Sequence, residues 1–375
     1  MSTRERDLHR MIPFVSLGRR ATMASKARVL KGRMLPDEFF WDLLFKCKNI
    51  REIASQLRNS FSYGSYLGHI DISEVHRYQL ESVLSMIPLY EAMRFRYFAG
   101  RSEWSVIDAW RAGYESDLLK RIIRHVFSGK GDKAALAERI HTIGEISFPA
   151  EKLLECETFD DILLVLKGTP YFDVTRAPLE KIEEQGATLF PVEMAIDSYV
   201  IKRLFKSISG LHGNQKKQLA ALLGTKADLL NLYWLYRSRK FFGMSPEEMI
   251  SRILPFNYRL SKKDLQKLVF APDLESFMDL MEDTWYGKFL EYPTDMDQGT
   301  LELVLERSIS RIITDRAVKI FMQGSPGVHT VLAYLILREY EVRDLTTIIE
   351  DVRYDFSRRM AVLFLVRSMK AEGGS

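Results

Sequence analysis

The sequence predicts an all-α protein made of three diverged copies of one unit, and three observations support this. Leu, Met, Glu, Lys, Arg and Ala dominate the 375 residues, and all six favour helices. Apolar residues recur at helical spacing, with Gly and Pro mainly between the periodic segments and few stretches that alternate with period two. Two independent sequence anchors also recur along the chain with nearly the same period.

The first anchor is an apolar triplet that steps by three residues and then by four. It occurs as Ile50, Ile53 and Leu57, as Phe159, Ile162 and Leu166, and as Leu274, Phe277 and Met281. This spacing is typical of the apolar stripe of an α-helix. The run at 162–166, which by itself also fits a buried strand, is therefore predicted to be helical. A Tyr in a turn-like context follows each triplet and predicts the end of the helix, at Tyr63, Tyr171 and Tyr286.

The second anchor is an Asp at the predicted start of a strongly apolar helix, at Asp117, Asp228 and Asp344. A long amphipathic helix is predicted between the two anchors of each copy, near residues 80–84, 192–196 and 301–305. The tyrosines are 108 and 115 residues apart, and the aspartates are 111 and 116 apart. The two anchors agree on one period, which is long enough for each copy to be a small domain with its own core.

Clusters of Gly, Pro and polar residues at 129–132 and 243–246 place the limits between the copies. The predicted layout is a basic N-terminal tail at 1–17, helical repeat domains at 18–130, 131–244 and 245–366, and a C-terminal tail at 367–375.

Composition argues against several classes of protein. Cys47 and Cys156 are the two cysteines of the sequence, which gives no disulfide framework and no four-cysteine zinc site. The seven histidines lack the close spacing of a helical metal site, so no bound metal is predicted. No apolar run reaches the ~20 residues needed to cross a bilayer, and the N-terminus lacks the apolar stretch of a secretory signal. These features predict a location on the cytosolic side without a membrane span.

Positive charge is concentrated near the N-terminus. The net charge is +4, but residues 1–33 contain nine Arg or Lys against Glu5 and Asp7. The candidates for contact with a partner or a membrane are Arg19, Arg20, Lys26, Arg28, Lys31 and Arg33. Anionic headgroups, nucleic acid or an acidic protein would suit such a segment, and the alternative interpretation is a solvated helix face with a loose tail.

The residues that first suggest chemistry have structural explanations. Each Cys lies three residues before its apolar triplet, where the third copy has Ala271, so the position is predicted to need a small packed residue. The three aspartates, one in each copy, are predicted to stabilise helix N-termini rather than to act as catalytic carboxylates. The segment 210–217 lacks the ending of a phosphate-binding loop and is predicted to be an ordinary loop.

No nucleophile elbow or Ser, His and Asp arrangement stands out, so no catalytic residue and no cofactor are predicted. The aromatic clusters follow helical apolar faces and are predicted to be core rather than base-stacking platforms. They comprise Phe39, Phe40, Trp41, Tyr233, Trp234 and Tyr236.

Three segments carry a resemblance to a known family. They are residues 25–35 (SKARVLKGRML) leading into 37–40 (DEFF), the helix at 115–127, and above all residues 338–349 (REYEVRDLTTII). On these segments the chain resembles the C subunit of archaeal and bacterial A/V-type rotary ATPases, whose counterpart in the eukaryotic vacuolar enzyme is the d subunit. The resemblance extends over residues 20–357. The sequence departs from the family pattern at Asp344, where Asn is usual, and at Thr346, where a basic residue is common.

This resemblance implies a funnel-like adapter with pseudo-threefold symmetry on the cytoplasmic face of a membrane. It implies that the D and F subunits of the central stalk plug into the funnel and that the membrane rotor ring of proteolipid subunits lies beneath it. Torque for proton or sodium transport would then pass through contacts without catalysis, and neither nucleic acid nor a small-molecule substrate would be bound. Two other hypotheses remain, a free helical scaffold that binds peptides or nucleic acid and an enzyme with an unconventional site.

Overall fold

The computed structural model describes the backbone of residues 3–129, 132–185, 188–291, 298–354 and 358–368. Side chains are described in these ranges from Leu17 onward, apart from residues 183–185, 298 and 359. Within the described ranges the regular elements are all helical and no β-strand occurs, so the all-α prediction is confirmed.

Eighteen α-helices are described. They are α1 (Thr3–Gly32), α2 (Asp37–Lys46), α3 (Ile50–Asn59), α4 (Gly64–Leu67), α5 (Arg77–Met93), α6 (Arg101–Ser128), α7 (Lys133–Ile143), α8 (Ala150–Leu153), α9 (Phe159–Leu166), α10 (Phe172–Gln185), α11 (Phe190–Ser207), α12 (Gly213–Lys240), α13 (Pro246–Arg252), α14 (Lys262–Val269), α15 (Leu274–Glu282), α16 (Gln298–Met322), α17 (Val328–Tyr354) and α18 (Arg358–Phe364). Short 3₁₀ helices lie at Ile208–Gly210 and Gly287–Phe289. Helix α1 begins at Thr3 and so includes most of the predicted tail at 1–17.

The three apolar triplets form the equivalent short helices α3, α9 and α15, as predicted. Each helix begins with a side chain that accepts a hydrogen bond from a backbone N–H of the first turn, which stabilises a helix by about 1 kcal/mol. The acceptors are Asn49, Thr158 and Asp273. Each helix ends shortly before the anchor tyrosine, and Tyr63, Tyr171 and Tyr286 are fully buried. The strand interpretation of 162–166 is excluded.

The predicted amphipathic helices are α5, α11 and α16, and each leads into one of the long helices α6, α12 and α17. The predicted starts of these long helices are wrong. Asp117, Asp228 and Asp344 lie near the middle of helices that begin at Arg101, Gly213 and Val328. The aspartates therefore do not cap the N-termini of their own helices.

Burial explains why the predicted start of α17 is misplaced. Every residue from Val328 to Leu337 is buried, so the first half of α17 has no polar face to mark it as a helix. The loop predicted at 210–217 is also wrong, because α12 begins at Gly213; here most of the first turn is exposed, and only Gln215 is buried.

The chain packs as two compact units. Unit 1 comprises Met1–Glu103, Gly213–Leu222 and Met281–Ser375, and unit 2 comprises Trp104–His212 and Leu223–Leu280. The division into three domains at 18–130, 131–244 and 245–366 stays a prediction. None of the described helices combines the length and the apolar character that a bilayer span requires.

The core of unit 1 joins the first and last copies of the repeat. Phe40, Leu57 and Tyr63 from the short helices of the first copy pack in one cluster with Leu345 and Ile349 of α17. In unit 2 the long helices likewise contact the copy that follows them. Phe127 of α6 stacks on Phe159 of α9, and the Asn231 side chain of α12 donates to the carbonyl of Leu254.

Candidate functional site

The predicted basic residues lie on α1. One face of this helix is apolar and packs against the rest of unit 1. Met23, Ala24, Ala27 and Leu30 recur at helical spacing and are buried. The cations lie between these positions, so the helix that carries the charge is anchored through its other face.

Two of the predicted cations contact the first turn of α6 or the segment that precedes it. The Arg20 guanidinium is 3.1 Å from the Glu103 carboxylate. Lys26 Nζ donates to the carbonyl of Arg94 at 3.2 Å and lies 4.7 Å from the centre of the Phe98 ring. Burial, followed by the nearby charge of Arg94, lowers the pKa of Lys26.

Two more cations contact other parts of unit 1. Arg28 donates to the carbonyl of Gly324, between α16 and α17, and the Arg33 guanidinium lies 4.7 Å from the centre of the Phe61 ring. The side chains of Arg19 and Lys31 form no hydrogen bond or ion pair with the part of the chain that the structure describes. The prediction that this cluster faces a partner or membrane stays a prediction, and Arg19 and Lys31 are the members most available for it.

Helix α1 lies beside segments that belong to all three copies. The Asn214 amide at the start of α12 donates to Ser325 Oγ at 2.9 Å, and Gln215 Oε1 accepts from the backbone N–H of Val328 at 2.9 Å. Together with the contacts of Lys26 and Arg28, these bonds gather four segments at one place. We call residues 17–33, 94–101, 213–222 and 319–330 the turn end of unit 1.

The segment that carries the family resemblance forms a buried charge network around Arg338 of α17. The Arg338 side chain is 1% exposed, and carboxylate and hydroxyl groups surround its guanidinium. Its Nε lies 3.3 Å from Glu91 Oε2, it pairs with Glu341, and it donates to Ser62 Oγ at 3.0 Å. Its guanidinium also lies 4.4 Å from the centre of the Tyr63 ring. A buried charge is tolerated only with such compensation.

The two carboxylates of this network also bind groups from the first copy. Glu341 accepts from the Tyr63 hydroxyl at 2.8 Å and from the backbone N–H of Leu35 at 3.0 Å. Glu91 of α5 accepts from the hydroxyls of Tyr66 and Tyr334. Burial raises the pKa of Glu341, and Arg338 opposes that effect. The network thus ties α17 to α5 and to the segments on both sides of α2 and α3.

Asp344 extends the network to the C-terminal segment. It accepts from the backbone N–H of Val366 at 2.7 Å and from that of Arg367 at 3.2 Å. The Arg367 side chain also donates to Asp344 at 3.2 Å and to Asp37 at 2.8 Å, and it covers the Phe40 ring. Burial raises the pKa of Asp344, and Arg367 opposes that effect.

In unit 2, the equivalent Asp228 of α12 also accepts hydrogen bonds from backbone N–H groups of a later segment. Its carboxylate accepts from the backbone N–H groups of Tyr258, Arg259 and Leu260, with the shortest bond at 2.7 Å. Asp117 of α6 differs, since it pairs with Arg121 at 2.8 Å and Arg139 at 3.0 Å. Asp228 and Asp344 thus have structural roles, but the prediction that they stabilise the N-termini of their own helices is wrong, because the groups they bind belong to later segments of the chain.

The contacts at these sites hold distant segments of the chain together. The charged groups of the network pair with one another away from water, and no described group of three or more His, Cys, Asp and Glu side chains could hold a metal ion. Cys47, Cys156 and Ala271 are all buried, as the packing interpretation predicted, and burial raises the pKa of both thiols. Of the aromatic clusters, Phe40, Trp234 and Tyr236 are buried, while Phe39, Trp41 and Tyr233 are partly buried.

Sequence reasoning singles out residues 338–349 but misses their partners. Glu91 and Arg367 occur in stretches without any motif, about 250 residues upstream of Arg338 and 23 residues beyond Asp344. An acidic residue on the apolar side of a predicted helix, as Glu91 is, would have been the one local signal.

Comparisons with known proteins give a consistent result. A family model described as ATP synthase (C/AC39) subunit matches residues 23–361. The chain is 24% identical over 340 residues to the C subunit of the A-type ATP synthase of Methanothermobacter thermautotrophicus, covering 88% of this chain and 83% of that protein. It is also 24% identical over 338 residues to the C subunit of the A-type ATP synthase of Pyrococcus horikoshii, covering 87% and 85% respectively.

Proposed function

Since this chain belongs to the ATP synthase (C/AC39) subunit family, we propose that it is a non-catalytic adapter in the central stalk of a rotary A/V-type ATPase. In this proposal it links the shaft formed by the D and F subunits to the proteolipid ring on the cytoplasmic face of the membrane. It passes torque between them for proton or sodium transport. The observation that carries the proposal is the family match over residues 23–361.

The charge network supports a mechanical role. Residues 338–349 carry the family resemblance, and in the structure they bind other parts of the same chain. The bonds from Tyr63 and Leu35 to Glu341 fix α17 against the short helices of the first copy. Packed interiors resist compression and transmit strain, which a torque-bearing part requires. The funnel-like, pseudo-threefold arrangement implied by the resemblance is part of this proposal.

Copurification tests the adapter role. Tagged chain isolated from gently solubilised membranes is expected to bring down the ring and the stalk subunits, identified by mass spectrometry. Recovery of neither group would contradict the proposal. If peptides or nucleic acid copurified instead, the free-scaffold hypothesis would replace it, and ATP turnover by the isolated chain would favour the enzyme hypothesis.

The basic cluster on α1 gives a second test, which concerns the contact surface. We propose that Arg19 and Lys31 contact an acidic partner or the membrane. Reversing both charges (Arg19→Glu and Lys31→Glu) is expected to release the chain from the assembled complex at lower salt, since exposed ionic contacts are screened by salt. Reversing Lys48 and Arg51, which lie elsewhere on unit 1, is the matched control. Equal release by both pairs would contradict a specific role for α1.

A further inference from the structure

The turn end of unit 1 lacks negative charge in its sequence. The chain contains 50 Asp and Glu in 375 residues, or about one in every seven or eight. None occurs in residues 17–33, 94–101, 213–222 or 319–330. These segments are distant in the chain, and the bonds of Lys26, Arg28, Asn214 and Gln215 bring them together. The absence of acids is thus a property of one region of the folded unit.

Cations fill the same region. Besides the residues of α1, the exposed ones are Arg94, Arg96, Arg101, Lys216, Lys217 and Lys319. Their crowding is unfavourable for the isolated chain, because like charges repel. Two carboxylates border this region. Glu103 is buried and already pairs with Arg20, whereas Asp315 is exposed and lies one turn before Lys319 on α16. An external anion would relieve the repulsion.

Two apolar side chains project from the same region. Tyr97, between α5 and α6, is 90% exposed, and Met322, at the end of α16, is 77% exposed. These are the largest exposed fractions among the large apolar side chains that the structure describes. Exposed aromatic and apolar side chains among cations are typical of surfaces that sit at the headgroup level of a bilayer.

We propose that the turn end of unit 1 binds the anionic headgroups of a lipid bilayer, with its Arg and Lys side chains on the phosphates and Tyr97 and Met322 in the interface. A lipid surface suits these residues better than an acidic protein does. The cations are spread over four segments, and mobile headgroups adjust to such a spread, whereas a folded partner must match fixed positions. The proposal chooses the membrane over an acidic partner for α1 and extends the contact to three further segments, whereas the adapter function by itself requires contact with protein subunits only.

Vesicle flotation with the full-length chain tests this proposal. We compare phosphatidylcholine vesicles with and without phosphatidylglycerol, using wild type, the triple variant R94Q/R96Q/R101Q and the double variant Y97A/M322A. The matched control is K46Q/K48Q/R51Q, which removes the same three positive charges from exposed positions elsewhere on unit 1. Far-UV circular dichroism checks that all variants keep the helical fold.

Wild type is expected to float only with vesicles that contain phosphatidylglycerol. At about 1 kcal/mol per cation near an anionic membrane, each lost Arg weakens binding about fivefold, so the triple variant should bind about 100-fold more weakly. The control should change binding less than about twofold, and Y97A/M322A should remove the part of the binding that survives high salt.

Two results would overturn the proposal. One is that phosphatidylglycerol does not increase binding to the vesicles. This result includes the case in which an acidic protein of the complex binds this region instead. The other is equal weakening by the two triple variants, which would mean that net charge alone attracts the vesicles. Copurification from detergent tests the adapter function without a bilayer, so the failure of either proposal is distinguishable from that of the other.

Discussion

Asp344 shows how a carboxylate in the middle of a helix can stabilise a distant segment. A side chain on the buried face of α17 points away from its own hydrogen-bonded backbone and reaches the free N–H groups of Val366 and Arg367. Asp228 does the same for Tyr258 and Leu260. Removing such an acceptor leaves buried N–H donors without a partner. The loss of stability is then larger than the contribution of one hydrogen bond.

Replacing Asp344 with Ala should therefore lower the free energy of unfolding by about 3 kcal/mol, because Val366 N–H loses its acceptor and Arg367 loses one of its carboxylate partners. Asp344→Asn keeps one carbonyl acceptor and should cost about 1 kcal/mol. Urea unfolding followed by circular dichroism measures both. Asp279→Asn, at an exposed position of α15, is the control and should stay within about 0.5 kcal/mol of wild type. Equal losses for the Ala and Asn variants would contradict this role.

His329 should make stability depend on pH. It is buried near the start of α17, with Nε2 2.8 Å from Ser325 Oγ, and burial lowers its pKa to about 4 from an ordinary value of about 6.5. Because the folded pKa is the lower one, the unfolded chain takes up the proton first. The contribution to stability is complete above pH 6.5 and is lost as the pH falls towards 4.

The Tm of wild type should accordingly drop more between pH 7.5 and 5 than the Tm of His329→Gln. His76→Gln, at an exposed histidine, is the control and should follow wild type. Parallel pH profiles for wild type and His329→Gln would show that His329 does not control this dependence.

The helices differ in how much of them the sequence can predict. The short helices α3, α9 and α15 are predictable because one face of each is apolar and the other polar. The start of α17 escapes prediction because the first half of this helix, from Val328 to Leu337, is buried all round. The apolar run at 331–337 indicates burial, but it does not show which distant segments cover the helix. The role of Glu341 escapes prediction for the same reason, since its partners Leu35 and Tyr63 lie some 300 residues upstream.

Two glycines inside long helices should respond oppositely to the same substitution. A Cβ at Gly113 in α6 would meet no atom within 4 Å, so Gly113→Ala should stabilise the protein by about 0.5–1 kcal/mol through helix propensity. A Cβ at Gly224 in α12 would lie 2.7 Å from the Cβ of Tyr258. Gly224→Ala should therefore destabilise by about 1–3 kcal/mol despite the better propensity. Urea unfolding of both variants checks the signs, and stabilisation by both would contradict the close packing of α12.

At the scale of the molecule, the hydrophobic cores of the structure do not follow the boundaries of the repeat in the sequence. The long helix α17 of the third copy completes the core of the first copy, through Leu345, Ile349 and the charges around Arg338. The sequence could predict three similar units, because each has the same order of helices. It could not predict which copies pack together, because similar apolar faces fit one another in more than one pairing.

A fragment of residues 245–366, the predicted third domain, should consequently fail to fold alone. It would expose the face of α17 that packs on Phe40, Leu57 and Tyr63, and it would leave Arg338 without Glu91. Near-UV circular dichroism is expected to show no fixed aromatic packing in the fragment, and adding a separate chain of residues 1–103 should restore part of the signal. Cooperative unfolding of the fragment by itself would instead support three independent domains.

The bond from Leu35 N–H to Glu341 spans 306 residues, and this separation has a consequence during synthesis. At about 5–20 residues per second, a ribosome needs roughly 15–60 s to add the intervening chain. During that time the apolar faces of α2 and α3 have left the exit tunnel without their partner. The apolar faces of α2 and α3 are therefore expected to need a chaperone during synthesis, and a premature stop before α17 would leave them exposed.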